Sequence, residues 1–347
     1  MFPSPSPSVT IPAGIRKSSA NRPRRANDKR LSHGCTSGGR SFSSDVKAAV
    51  IGLLAPEDSV SALRRIYEMA STTQTAGTEH DARLRRAARL SSEYSFASEF
   101  LNFYKHVAAF QKTLRPSIAS SGGMKASGTP AAEIRDSLDL TVLLPHFRGF
   151  LSVIEQHAPA ALRESARQMS LLPTDSWIAS LEAYWEYGGK GKYDQQIGAF
   201  AQFLARAFLQ PYAEFRAAMT PKPPMVITVR VCPLCGARPL MGVLRVEGDS
   251  GKRFLLCSFC SQEWEFRRIF CSTCGEEEEG KLPVYVAEQL PHIRVEACDT
   301  CKFFLTTVDL TKDGHAIPLV DDLAAIPLTL WAHEHGYSRL QPNLLGT

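Results

Sequence analysis

The sequence predicts an α+β protein: an all-α N-terminal domain, then two small four-cysteine β modules and a C-terminal helix. Three observations carry this. Apolar residues recur at three- and four-residue steps through most of the first two thirds of the chain. A stiff break follows at Thr220-Pro221-Lys222-Pro223-Pro224, where prolines hold the chain extended and cannot continue a helix. Beyond it the runs become short, β-branched or aromatic and often alternating, and four Cys-x-x-Cys pairs fall within them.

Residues 1–43 read as a basic, Ser/Pro-rich tail. Residues 1–40 hold eight Lys or Arg against the single acid Asp28, a balance of +7 in a chain whose total is +5. So few apolar groups cannot offset the entropy of ordering, and the tail is predicted disordered. Arg24-Arg25 is a twin arginine, but residues 26–39 are polar where an export signal needs an apolar segment. The expected location is therefore the cytoplasm. The longest purely apolar stretch, Ala48 to Pro56, is far short of the ~20 residues of a membrane-spanning helix, so no membrane span is expected. Cys35 reads as a lone exposed thiol without a role.

Residues 44–220 form the predicted helical domain. Helices are expected at Ser59 to Ala70, Phe96 to Leu114, Leu144 to Gln156, Pro159 to Gln168, Asp175 to Tyr187 and Gln195 to Ala218. A loop is expected around Gly122-Gly123 and Gly128-Thr129-Pro130. Trp177, Tyr184, Trp185, Phe200, Phe203, Phe208, Tyr212 and Phe215 lie on the helical repeat and read as core. No phosphate loop, Gly-x-Ser-x-Gly or His-Glu-x-x-His motif occurs in this region, so nothing in it points to an enzyme.

Strands are expected at Val226 to Val231, Trp264 to Phe270, Leu282 to Val286, Ile293 to Ala297 and Phe303 to Leu310, and a helix at Asp322 to His335. The four pairs are Cys232/Cys235, Cys257/Cys260, Cys271/Cys274 and Cys298/Cys301, with intervals of 21, 10 and 23 residues between them. Two residues between cysteines let a tight turn aim both sulfurs at one metal, and two such knuckles facing each other complete a tetrahedron. Gly236 and Gly275 follow two of the knuckles, where a positive φ suits glycine; Ser261 and Lys302 stand at the other two. A disulfide framework would need an oxidising compartment. A thioredoxin-type site expects one such pair at a helix start, not four among strands.

Ser261 to Phe270 contains no Gly, Pro, Asn or Asp and reads as a strand, carrying the chain roughly 30 Å at ~3.3 Å per residue. The second and third knuckles are therefore expected at different metals. The predicted sites are Cys232, Cys235, Cys257 and Cys260 in a module over residues 226–268, and Cys271, Cys274, Cys298 and Cys301 in a module over 269–347; a crossed pairing stays open. Each would hold one mononuclear metal ion, either zinc or iron. Eight thiolates fill both tetrahedra, so His292, His315, His333 and His335 are expected not to be ligands.

From residue 226 onward twelve Lys or Arg face sixteen Asp or Glu, and each four-thiolate site around a divalent ion adds −2. Phosphate backbones repel such a module, which argues against a zinc-ribbon nucleic-acid protein.

Helical domain, then Cys232-Pro-Leu-Cys235-Gly236, Cys257-Ser-Phe-Cys260 with Glu263-Trp264, Cys271-Ser-Thr-Cys274 and Cys298-Asp-Thr-Cys301, then Val320-Asp321-Asp322-Leu323-Ala324, Gly336-Tyr337 and Pro342-Asn343: this order resembles the formate dehydrogenase accessory protein family FdhE. The likeness runs over roughly residues 85–347, with Phe100-Leu101-Asn102-Phe103 a weaker N-terminal match. It implies a cytoplasmic, non-enzymatic protein needed for active formate dehydrogenase, with that enzyme's catalytic subunit as partner. It also implies rubredoxin-like sites at the eight cysteines, with iron favoured over zinc. Self-association stays open. A rubredoxin-like electron carrier is the alternative, although carrying electrons does not require so large a helical domain.

Overall fold

A computed structural model of the chain describes residues 14–18, 79–120, 134–191, 198–224, 226–247 and 250–346. The helix expected at Ser59 to Ala70, the loop around residues 122–130 and most of the N-terminal tail lie outside the described residues.

The helical layer contains α1 (79–93), α2 (Ser98–Ser120), α3 (Leu140–His157), α4 (Ala160–Ser170), α5 (Thr174–Tyr187) and α6 (Ala199–Met219). α3 starts one turn earlier than its apolar repeat suggests. Asp139 caps it, its carboxylate accepting from the Thr141 amide at 3.0 Å, and Pro145 sits near the start. α2 and α3 pack side by side, and α6 lies against both. Their shared interior is aromatic: Phe147 meets Phe208 edge-on at 4.9 Å between centroids and Trp177 at 5.5 Å. Trp177, Tyr184, Trp185, Phe203, Phe208, Tyr212 and Phe215 are buried, as core residues should be.

The remainder is one mixed sheet with the order β1-β5-β6-β7-β2-β3-β4. Its strands are β1 (Arg16–Lys17), β2 (Pro239–Glu247), β3 (Ser250–Cys257), β4 (Glu263–Glu265), β5 (Val284–Ala287), β6 (Leu290–Ala297) and β7 (Phe303–Asp309). β8 (Ser338–Arg339) pairs in parallel with β7. Two short helices, α7 (Pro318–Ala324) and α8 (Ile326–Glu334), precede β8.

Several expectations change here. The β2–β3 hairpin, the longest in the sheet, was not foreseen, although Leu240 to Leu244 and Phe254 to Leu256 are apolar runs. Residues 226–231 form a turn and extended chain rather than a strand, and the run expected from Trp264 to Phe270 is a strand only at Glu263–Glu265. The expected C-terminal helix is two helices, since Pro327 and the non-helical Ala325 interrupt it. Within the tail expected to be disordered, Arg16 and Lys17 pair antiparallel with Val286 and Tyr285 at the sheet edge.

The two cysteine-bearing hairpin systems join through a parallel pairing of β2 with β7, in which Gly242 faces Thr307. Glycine is required there by close approach. A Cβ at position 242 would lie 2.3 Å from Thr307 Oγ1. Along β3 and β7 the side chains alternate: Leu255 and Leu305 join the core shared with the helices, while Leu256 and Phe304 join the opposite one with Leu328 and Ala332 of α8.

Buried ion pairs tie the layers together. Arg86 of α1 donates from Nε to Asp321 Oδ2 at 2.9 Å and from Nη2 to Asp313 Oδ2 at 2.8 Å. His292 Nε2 lies 2.8 Å from Asp321 Oδ1, and the Ile317 amide donates to Asp321 Oδ2 at 2.7 Å. Asp322 accepts from Arg339 Nη2 at 2.6 Å and from Thr306 Oγ1. Asp321 and Asp322, side chains without a role in the sequence alone, therefore hold α7 to α1 and to the sheet. Within the sheet, Glu296 lies between Arg253 and Arg294. Burial raises its carboxyl, but the two guanidiniums outweigh this and hold it at about 2.

Two outcomes follow from this packing. Gly242→Ala should destabilise the protein by about 1–3 kcal/mol through overpacking at the seam, read as a lower midpoint in urea. Glu296 has a folded pKa of about 2 against an ordinary 4.5. Its stabilisation, about 3 kcal/mol, is thus complete above about pH 4.5 and disappears as pH falls towards 2. The stability gap between the native chain and Glu296→Gln should accordingly narrow between pH 5 and pH 3; a gap that stays constant would contradict the pairing.

Candidate metal centres

All four knuckles share one backbone design. The amide of each leading cysteine donates to the carbonyl five residues on: Cys232 to Ala237 at 2.7 Å, Cys257 to Gln262 at 3.0 Å, Cys271 to Glu276 at 2.9 Å and Cys298 to Phe303 at 3.0 Å. Closing so tight a turn needs a left-handed residue directly after the second cysteine. Gly236 and Gly275 have φ of 72° and 85°, and Ser261 and Lys302 take the same conformation at 55° and 60° despite their side chains. The expectation that these four positions are equivalent therefore extends to the two without glycine.

The sulfurs gather in two groups of four, Cys232/Cys235/Cys257/Cys260 and Cys271/Cys274/Cys298/Cys301, each with all Sγ atoms within 4.8 Å of one another. In the first group Cys232 lies 3.7 Å from Cys260, and Cys235 lies 3.4 Å from Cys257 and 3.6 Å from Cys260. In the second, Cys271–Cys301 and Cys274–Cys298 are both 3.7 Å. A regular tetrahedron with ~2.3 Å metal–sulfur bonds has edges of about 3.8 Å. Both groups could therefore hold a metal ion. The structure brings the first knuckle to the second and the third to the fourth; the crossed arrangement does not occur.

Local electrostatics favour a cation at the first group. Burial pushes the Cys257 thiol well up, and the sulfurs of Cys232 and Cys235 add to it. At Cys235 burial acts in the same sense, but the three neighbouring thiols outweigh it and bring the group well down. Four buried sulfurs in one pocket cannot all ionise without a compensating charge. Backbone donors are already aimed inward, with the Phe259 amide 3.3 Å from Cys257 Sγ and the Thr273 amide 3.4 Å from Cys271 Sγ. His292 is occupied by Asp321, and His315, His333 and His335 belong to neither group.

The two groups differ in their surroundings. All four cysteines of the first are buried, whereas Cys274 is exposed and Cys301 half-buried in the second. The first is set into the helical layer. Phe259, inside the second knuckle, sits 5.0 Å from Trp185 and 5.8 Å from Tyr184, and the Arg135 guanidinium lies 3.7 Å over its ring. Arg135 also donates to the carbonyls of Cys235 at 3.1 Å, Gly188 at 2.9 Å and Trp185. Ser261 donates to Glu214 of α6 at 2.8 Å, and Glu214 in turn receives two bonds from Arg83 of α1. Burial raises the Glu214 carboxyl, but Arg83 and His80 outweigh it and keep it below the ordinary range. No local motif announces Arg135 or Glu214, because their partners lie far away in sequence.

Two family models match the cysteine-bearing part of the chain: the FdhE central domain over residues 231–268 and the FdhE C-terminal domain over residues 269–345. Residues 231–345 thus match FdhE domains end to end. It is 24% identical over 278 residues to the protein FdhE homolog of Aquifex aeolicus, covering 77% of this chain and 95% of that protein. It is 34% identical over 166 residues to the Pseudomonas aeruginosa homolog, covering 45% of this chain and about half, 52%, of that relative. The crystal structure of the FdhE protein from Pseudomonas aeruginosa superposes with a TM-score of 0.59 at 23% identity, over 77% of this chain and 95% of that one. The helical layer and the cysteine-bearing sheet are thus a shared FdhE fold.

The knuckle geometry separates two substitutions. Lys302→Gly should stabilise the protein by up to about 1 kcal/mol by removing a side chain from the left-handed region, since its contact with Asp299 is exposed. Ser261→Gly relieves the same strain but loses the bond to Glu214, so its thermal midpoint should not rise.

Proposed function

We propose that the chain is a non-enzymatic accessory protein for formate dehydrogenase, acting in the cytoplasm on that enzyme's catalytic subunit during its maturation. In this reading Cys232, Cys235, Cys257 and Cys260 ligate one mononuclear metal ion and Cys271, Cys274, Cys298 and Cys301 another, zinc or iron. The helical domain over residues 44–220 and the modules over 226–268 and 269–347 act as one body. The observation that carries it is the pair of closed four-sulfur groups in the segments matched as FdhE central and C-terminal domains. A filled shell of four thiolates leaves no position for substrate, so the ions contribute folding energy and shape rather than Lewis-acid chemistry.

A second reading, a rubredoxin-like one-electron carrier, draws on the exposed edge of the second group at Cys274. Reversible cycling of bound iron would support it; a colourless zinc protein removes it.

Affinity isolation of the tagged chain from formate-grown cells should recover the formate dehydrogenase catalytic subunit. Cys271→Ser with Cys274→Ser should abolish maturation and lower metal content from two equivalents to one, while the far-ultraviolet helix signal survives. Cys232→Ser with Cys235→Ser should reach further, lowering the helix signal as well, because Phe259 and Arg135 couple that group to α5. Full maturation at half metal content in the first variant would defeat the reading.

A further inference from the structure

A short loop beside the second sulfur group exposes side chains that ordinarily lie inside. Val226 is 55% exposed, Ile227 44% and Val231 43%. These residues are not on a loose segment. The Val229 amide donates to Val226 O at 3.2 Å, the Arg267 amide to Ile227 O at 2.9 Å, and Trp264 Nε1 to Val229 O at 2.8 Å. Arg230 Nη1 donates to Thr273 O at 2.7 Å, which fastens the loop to the knuckle carrying the exposed Cys274. A held, solvent-facing aliphatic loop is therefore fastened beside the open side of a metal centre. Clustered exposed apolar side chains of this kind mark interaction sites.

The charge on this face points to what covers it. Arg230 and Arg268 are exposed and donate to backbone carbonyls, Arg268 to Gly251 O at 3.2 Å, and neither pairs with a carboxylate among the described residues. Arg267 beside them is paired with Glu277 at 3.0 Å. An aliphatic patch rimmed by unpaired guanidiniums is complementary to an apolar segment bearing carboxylates. A second copy of this chain docked through the same face would bring the Arg230 and Arg268 guanidiniums of both copies into one interface. Within the neighbouring acidic run Glu277 is paired with Arg267, Glu278 with Lys281, and Glu276 accepts from the Thr300 hydroxyl.

We propose that the face formed by Val226, Ile227, Arg230, Val231 and the Cys274 edge of the second centre is where an acidic, apolar segment of the partner protein docks, covering that centre. This rests on the accessory-protein reading above, with the formate dehydrogenase catalytic subunit as partner.

The test uses the full-length, metal-loaded chain and the purified catalytic subunit. Val226→Asp with Ile227→Asp, and separately Arg268→Glu, should keep two metal equivalents and the native circular dichroism. Each should weaken binding by calorimetry about tenfold or more, the Arg268→Glu loss shrinking at high salt. In the wild-type complex, iodoacetamide alkylation of Cys274, followed by peptide mass spectrometry, should slow about tenfold relative to the free chain. Wild-type binding with undiminished affinity in both variants and unprotected Cys274 would overturn the docking face and leave the accessory reading standing. Failure of the wild-type chain to bind the subunit at all would overturn both. A concentration-dependent dimer that Val226→Asp with Ile227→Asp abolishes, without effect on the subunit, would assign the face to a second copy and overturn the proposal.

Discussion

Four sulfurs brought within tetrahedral distance in a buried pocket impose a charge that the surrounding protein must balance, and the arrangement of the chain around the first group follows from that need. Cys232, Cys235, Cys257 and Cys260 are all buried, and each knuckle is closed by a bond from its leading cysteine amide to the carbonyl five residues on. Arg135 bonds to the Cys235 carbonyl while its guanidinium lies over Phe259, and Ser261 bonds to Glu214. An ion at this position would hold together the first two knuckles, the β2–β3 hairpin between them and the helices against which Phe259 packs. The helical layer and the first module pack directly against each other, although a proline-rich segment separates them in sequence.

The second group is built to the same plan and placed differently. It shares the repeated amide-to-carbonyl closure and the left-handed residue after each knuckle, yet Cys274 reaches solvent. The parallel pairing of β2 with β7 at Gly242 and Thr307 connects the two halves. A rigid sheet running from one centre to the other lets the buried one anchor the fold while the exposed one faces outward.

Much of the site was legible in the sequence because knuckle geometry is local. Two residues between cysteines, and glycine after two of the knuckles, specify a turn that aims sulfurs at a point, whatever lies around it. The expected pairing of knuckles also holds, although the connection from Ser261 to Phe270 is a strand for just three residues and it is the β2–β3 hairpin that closes the first group. That hairpin was missed because Leu240 to Leu244 and Phe254 to Leu256 are apolar runs without clear alternation, buried on both faces. Val226 to Val231 erred the other way. Its β-branched composition suited a strand, but the Val229 amide closes a turn onto Val226 O, and the Arg267 amide donates to Ile227 O in place of a strand ladder.

The sequence by itself determined the α+β division, the helical aromatic core and the four cysteine knuckles, since each depends on periodicity or on contacts a few residues apart. The tertiary structure alone decided that the two modules share one sheet, that Asp321 and Asp322 serve Arg86 and Arg339, and that Glu214 and Arg135 brace the first centre. It alone decided that one centre is enclosed and the other open. Those features depend on residues separated by tens to hundreds of positions, and burial at such distances is a property of the packed body rather than of any local stretch of chain.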